Sequence, residues 1–213
     1  MAPNNSGEME YRLAIEDYAS LVSKLSSWRI DQYVRYVEDQ KKRGWGNVLP
    51  FVRGLRLSSQ LIYVIRKKLS GSALTADWGH LLDKDGNYLS PECDIIIYDK
   101  QGEEHGWNDD IKPVFTFKFI KCTHAKLVIS CKSFLNPSNI EVDYFIELKK
   151  HVEKIWLFAE YCGPKSPHRI EETARRIGYQ EFFFLYTWSK KTSQRKNEKG
   201  WIKFITEIKK LVD

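Results

Sequence analysis

Between residues 8 and 43, apolar side chains return every three or four positions. Tyr11, Ile15, Tyr18, Leu21, Val22 and Leu25 form one stripe, and Ile30, Tyr33, Val34 and Val37 continue it. That period predicts amphipathic helix. Lys41-Lys42-Arg43 ahead of Gly44 reads as a helix end, with cations over the last carbonyls and a glycine to turn the chain. A further helix is expected over about 48–69, with Leu57, Leu61, Ile62, Val64 and Ile65 turned inward and Arg66, Lys67 and Lys68 near its end.

Beyond residue 70 the pattern breaks into short runs. Asp83-Lys84-Asp85-Gly86-Asn87 reads as a turn, since these residues tolerate the backbone angles a turn requires. Cys93–Tyr98 (CDIIIY) is β-branched and almost wholly apolar, as a central strand should be. Residues 100–112 are polar and acidic and are expected to form a loop; Pro113–Ile120 alternates like a half-buried strand. Lys126–Cys131 (KLVISC) predicts a second buried strand. A helix follows over Asn139–Val152 with Phe145, Leu148 and Val152 on one face. Strands over Ile155–Tyr161 and Glu181–Trp188 flank a helix at Glu171–Ile177. A basic loop over 189–200 then leads to a closing helix, Trp201–Val212. The order α-α-β-β-β-β-α-β-α-β-α describes an α/β chain with a mixed central sheet flanked by helices. A helical region over 1–70 packs on a core spanning 71–213.

Composition narrows the class. The chain has 213 residues, 42% hydrophobic and 14% aromatic, enough to bury a core and too apolar for disorder. No apolar run approaches a membrane span, and the N-terminus lacks the basic and apolar stretches of a secretory signal. Cys93, Cys122, Cys131 and Cys162 lack zinc-knuckle spacing; three sit in apolar segments, which suggests buried thiols in the cytoplasm. The five histidines are scattered. No GxGxxG, GxxxxGK[ST] or GxSxG motif occurs, so the phosphate-cradling loops and the nucleophile elbow find no support. A net charge of +6 suits a polyanionic partner.

Asp94 opens the IIIY strand and Lys132 closes the LVISC strand. An acid and a lysine at the ends of two buried strands can converge at one sheet edge. The carboxylate offers hard oxygen to a divalent cation, and the ammonium can orient a water or stabilise a phosphate.

The stretch from Leu81 to Cys162 resembles the PD-(D/E)XK nuclease superfamily. SPECDIIIYD supplies the acid and first strand, KLVISCKSFL the second strand and lysine, followed by a helix and the strand KIWLFAEYC. The resemblance implies a restriction-endonuclease-like fold and Mg²⁺-dependent hydrolysis of DNA to 5′-phosphate and 3′-hydroxyl ends. Ser130 stands where that superfamily has its second acid. Ser130-Cys131-Lys132 resembles the Ser-X-Lys form of some type II restriction endonucleases, which take the acid from the next helix. On that reading Asp94 and Glu147 hold Mg²⁺ and Lys132 positions the water. Two alternatives stand beside it: Glu92 or Asp99 supplies the second carboxylate, or the site is catalytically inactive and the fold only binds nucleic acid. Glu141 and Asp143 read as first-turn acids on the helix dipole. Double-strand cleavage at a palindrome implies a homodimer on double-stranded DNA. Arg53, Arg56, Lys190, Lys191, Arg195 and Lys196, along with Lys41-Lys42-Arg43, are the basic residues expected to meet DNA.

Overall fold

The protein's structure, a computed structural model, describes residues 5–26, 48–104, 118–163, 166–189 and 192–212. The helical stretch expected over 30–43, His105, the 105–117 part of the expected loop and strand, and Lys190 and Lys191 lie outside these.

Two helices, α1 (Asn5–Ser26) and α2 (Val48–Lys68), precede the sheet. The strands are β1 (Leu74–Leu82), β2 (Cys93–Asp99), β3 (Glu103–Glu104), β4 (Lys118–Lys121), β5 (Ala125–Leu135), β6 (Ile155–Cys162), β7 (Glu181–Ser189) and β8 (Thr192–Lys196). Helices α3 (Val142–Lys149) and α4 (Pro167–Ile177) connect β5 to β6 and β6 to β7, and α5 (Glu198–Lys209) closes the chain. Among the described residues the strands form one sheet in the order β3-β4-β1-β2-β5-β6-β7-β8. Pairing is antiparallel at β1–β2 and β2–β5, parallel at β5–β6 and β6–β7 where a helix makes the crossover, and antiparallel at the β7–β8 edge.

Both faces of the sheet are covered. On one, Leu21, Leu25, Leu57, Leu61 and Ile65 of α1 and α2 join Trp201, Phe204 and Ile208 of α5 over Ile95, Ile97, Ile129 and Phe158. On the other, Phe145 and Leu148 of α3 and Ile170 and Ala174 of α4 lie over Ile96, Val128 and Leu157. Strands covered on both sides carry no alternation, which is why CDIIIY and KLVISC are continuously apolar. Polar clips fix α1 to the far end of the chain: Tyr18 Oη donates to the Leu185 carbonyl at 2.8 Å and Trp201 Nε1 to that of Ala14 at 2.9 Å.

Several boundaries differ from the sequence expectation. Lys132 does not end its strand, because β5 runs on to Leu135 and pairs with β6 as far as Cys162. The helix expected from Asn139 begins at Val142, after a 3₁₀ turn over Pro137–Asn139 capped by Asn136. The basic 189–200 loop contains an edge strand, β8, and the first turn of α5. Strand β1 escapes the apolar pattern because its polar members are satisfied by tertiary partners. Asp77 is buried against the Arg66 guanidinium and accepts from Tyr98 Oη at 3.0 Å.

Candidate active site

Burial sets the register of β2 on β5. Ile95 faces Ile129 and Ile96 faces Val128, all fully buried, so a one-residue slip would move each into the core on the opposite face and break its packing. One step beyond Ile95, Asp94 comes level with Ser130 and Cys131. Its Oδ2 accepts the Cys131 backbone N–H at 2.8 Å. Burial pushes the Asp94 carboxyl up to about 6; the Cys131 N–H and the Lys132 charge pull it down, while Glu92 and Glu141 push it further up.

Lys132 reaches toward α3. Its Nζ lies 2.7 Å from Oε1 of Glu141, with the lysine side chain 22% exposed and the glutamate 54% exposed. Glu141 is the N-cap of α3, yet its side chain makes no capping hydrogen bond. The expected dipole role therefore suits Asp143, in the first turn, better than Glu141. Sequence spacing missed Glu141 because its partner lies nine positions back, on another element.

Glu92 is exposed and sits just ahead of β2, where its Oε1 accepts Trp78 Nε1 at 2.6 Å. A cleft of about 290 Å³ gathers these groups: Trp78, Glu92 and Asp94 on one side, Cys131, Lys132 and Phe134 on another, and Gly54, Leu55 and Ser58 of α2 above.

The remaining candidates lie elsewhere. Glu147 is turned to its own helix, with Oε2 2.7 Å from Lys150 Nζ and Oε1 3.8 Å from His151 Nε2. Lys150 holds its carboxyl below the usual glutamate range. The carboxylate expected beside Asp94 is thus engaged on the surface of α3. Asp99 ends β2 opposite Leu74, at the far end of the strand from Asp94, and caps a turn by accepting Gln101 N–H at 3.0 Å. Ser130 is fully buried on β5, two residues before Lys132, with its side chain beside the Tyr179 hydroxyl.

Of the expected DNA contacts, Arg56 is turned inward. It donates to the Leu25 carbonyl and to Oε1 of the fully buried Glu160 at 3.3 Å. A guanidinium beside a buried carboxylate is held there, since the acid would otherwise be an uncompensated charge. Arg195 and Lys196 are exposed on β8, paired with Thr187 and Tyr186. Arg53 lies on α2, and its side chain is outside the described residues.

Among the described residues, no cluster of three or more histidine, cysteine, aspartate and glutamate side chains is ready to hold a metal ion. The cleft nevertheless fits Mg²⁺, which binds proteins through one or two carboxylates and leaves its other positions to water and phosphate. Asp94 offers a carboxylate that burial and two acidic neighbours make costly to ionise, which a cation would relieve. Beside it, the Tyr144 hydroxyl is pushed up, first by burial and then by Cys93 and Asp94.

No protein-family model matches the sequence, and no curated protein matches it. Solved structures do. P. aeruginosa ATCC27853 NucC in its cAAA-bound form superposes with a TM-score of 0.59 at 11% identity, over 95% of this chain and 91% of that one. E. coli MS115-1 NucC in its cAAA-bound form gives 0.59 at 8% identity, over 95% and 90%. The mixed sheet with helices on both faces is the restriction-endonuclease-like fold these proteins share.

Proposed function

We propose that the protein is a divalent-metal-dependent DNA endonuclease whose site is the cleft at Asp94 and Lys132. One observation carries this reading: a half-buried carboxylate, anchored by the Cys131 N–H, shares a cleft with the ammonium of Lys132, the next residue of that strand. A bound Mg²⁺ would supply charge neutralisation at a phosphate and a more acidic water. Asp94 would hold the ion, and its fixed position on β2 would set where the phosphate sits. Lys132 offers a point charge to the phosphate oxygens or the incoming water, in a cleft whose apolar walls strengthen that charge. Trp78 holds Glu92 in the lining of the cleft, where its charge would add to the attraction for a cation.

The finer reading, a type II restriction enzyme acting as a homodimer, rests on the Ser130-Cys131-Lys132 form and on cleavage at a palindrome; its expected metal ligand, Glu147, is paired with Lys150 and His151. A second reading has a specific observation behind it. Ser130 replaces the expected acid and Lys132 already has a carboxylate partner, as a nucleic-acid-binding module without catalysis would allow.

Incubation with supercoiled plasmid separates the two. The endonuclease gives nicked or linear DNA with Mg²⁺ and none with EDTA. The binding module retards the plasmid and leaves it supercoiled. A parallel arm with cAAA is warranted because both NucC structures were solved in cAAA-bound form.

A further inference from the structure

We infer that Glu141, rather than Glu147, is the second carboxylate of the cleft, and that it exchanges between Lys132 and a divalent cation. The inference rests on the reading of the cleft as a metal site and names a residue that the Ser-X-Lys spacing did not.

Four observations support it. Glu141 Oε1 is 2.7 Å from Lys132 Nζ, so its carboxylate is already at the lysine that lines the cleft. At 54% exposure and with no capping bond to its helix, the side chain is free to swing. Asp94 senses the Glu141 charge, which helps hold its carboxyl up. Finally, the fully buried Ser130 stands where the strand acid was expected, two residues before Lys132, so a second carboxylate has to come from another element.

Charge balance gives the exchange its direction. Asp94, Glu92 and Glu141 gather around a cleft whose one basic lining residue, among the described residues, is Lys132. With all three acids ionised, two negative charges remain in excess, the charge of one divalent cation. When the ion binds, Glu141 leaves Nζ for the ion, and the freed ammonium turns to the phosphate. Without the ion, the Lys132–Glu141 pair holds the site at rest.

The test uses the full-length protein and Ca²⁺ as probe, with binding measured by titration calorimetry at pH 8 beside plasmid cleavage in Mg²⁺. Glu141→Gln should weaken Ca²⁺ by about tenfold or more. Glu147→Gln should leave Ca²⁺ affinity within about twofold, as expected of a surface group with its own partners. Lys132→Met should tighten Ca²⁺ by about threefold or more, because the competing cation is gone. Unchanged Ca²⁺ affinity in Glu141→Gln, a loss in Glu147→Gln as large, or weaker binding in Lys132→Met overturns the inference. The two readings fail separately. Glu141-dependent Ca²⁺ binding without plasmid cleavage leaves the exchange standing and removes the nuclease. Mg²⁺-dependent cleavage with Ca²⁺ binding indifferent to Glu141 does the reverse.

Discussion

Lys132 Nζ and Glu141 Oε1 meet at 2.7 Å across the gap between β5 and the start of α3. With the glutamate half exposed, such a pair contributes about 0–1 kcal/mol. That is small beside the several kcal/mol a divalent ion gains from fixed carboxylates, so an arriving cation can break it. The cleft therefore reads as a resting site rather than a finished one.

The first prediction concerns pH. The Asp94 carboxyl stands at about 6, chiefly through burial, above the unfolded value. A raised acid favours the folded state fully at pH below its unfolded value, and that contribution is lost as pH rises through about 6. Ionised Asp94 thus costs the metal-free fold about 3 kcal/mol at pH 8. Without metal, Asp94→Asn should melt at the same or a higher temperature than wild type at pH 8, and its advantage should vanish near pH 4. A variant that melts clearly lower at pH 8 would contradict this.

Arg56 is expected to matter for folding rather than for DNA. Its removal leaves Glu160 charged in the interior, fully buried on β6. Arg56→Met should lose about 3–5 kcal/mol in urea denaturation. The folded fraction should bind DNA as wild type does. A stable variant with weakened DNA binding would return Arg56 to the nucleic-acid interface.

How much of this was legible in the sequence depends on what each residue leans on. Asp94 and Lys132 were readable because the apolar runs around them, CDIIIY and KLVISC, can only be interior strands. Strand β1 was not, since LTADWGHLL carries a buried Asp77 whose partners, Arg66 and Tyr98, are set by tertiary structure. The strand β8 is all polar, TSQRK, and shows as a strand only through its pairing with β7. Helical spacing set Glu147 off the core face of α3 but gave no sign that Lys150 and His151 would pair with it. Glu141 looked like an ordinary first-turn acid because nothing local marks its contact with β5.

Gly79 tests the close approach of β1 and β4. A Cβ there would come within 1.9 Å of the Lys118 carbonyl oxygen, which is backbone and cannot swing aside. Gly79→Ala should force the two strands apart next to Trp78 and destabilise the fold by about 2 kcal/mol or more. An unchanged melting temperature would show that the strands separate without cost.

The exposed basic edge is expected to take phosphate. Neutralising Arg195 and Lys196 with glutamine should weaken DNA binding and lower the slope of log affinity against log salt by about 2. Binding measured by fluorescence anisotropy across a salt series reads this directly. An unchanged slope would make β8 a merely charged edge that guards against strand pairing.

The most direct test of the central claim is single-turnover cleavage of supercoiled plasmid with Mg²⁺, with DNA binding measured on the same preparations of wild type, Asp94→Asn and Lys132→Ala. The site described here predicts that each variant loses about a thousandfold or more in cleavage rate while binding DNA within a few fold of wild type. Cleavage by either variant at close to the wild-type rate would contradict the assignment of this cleft as the active site.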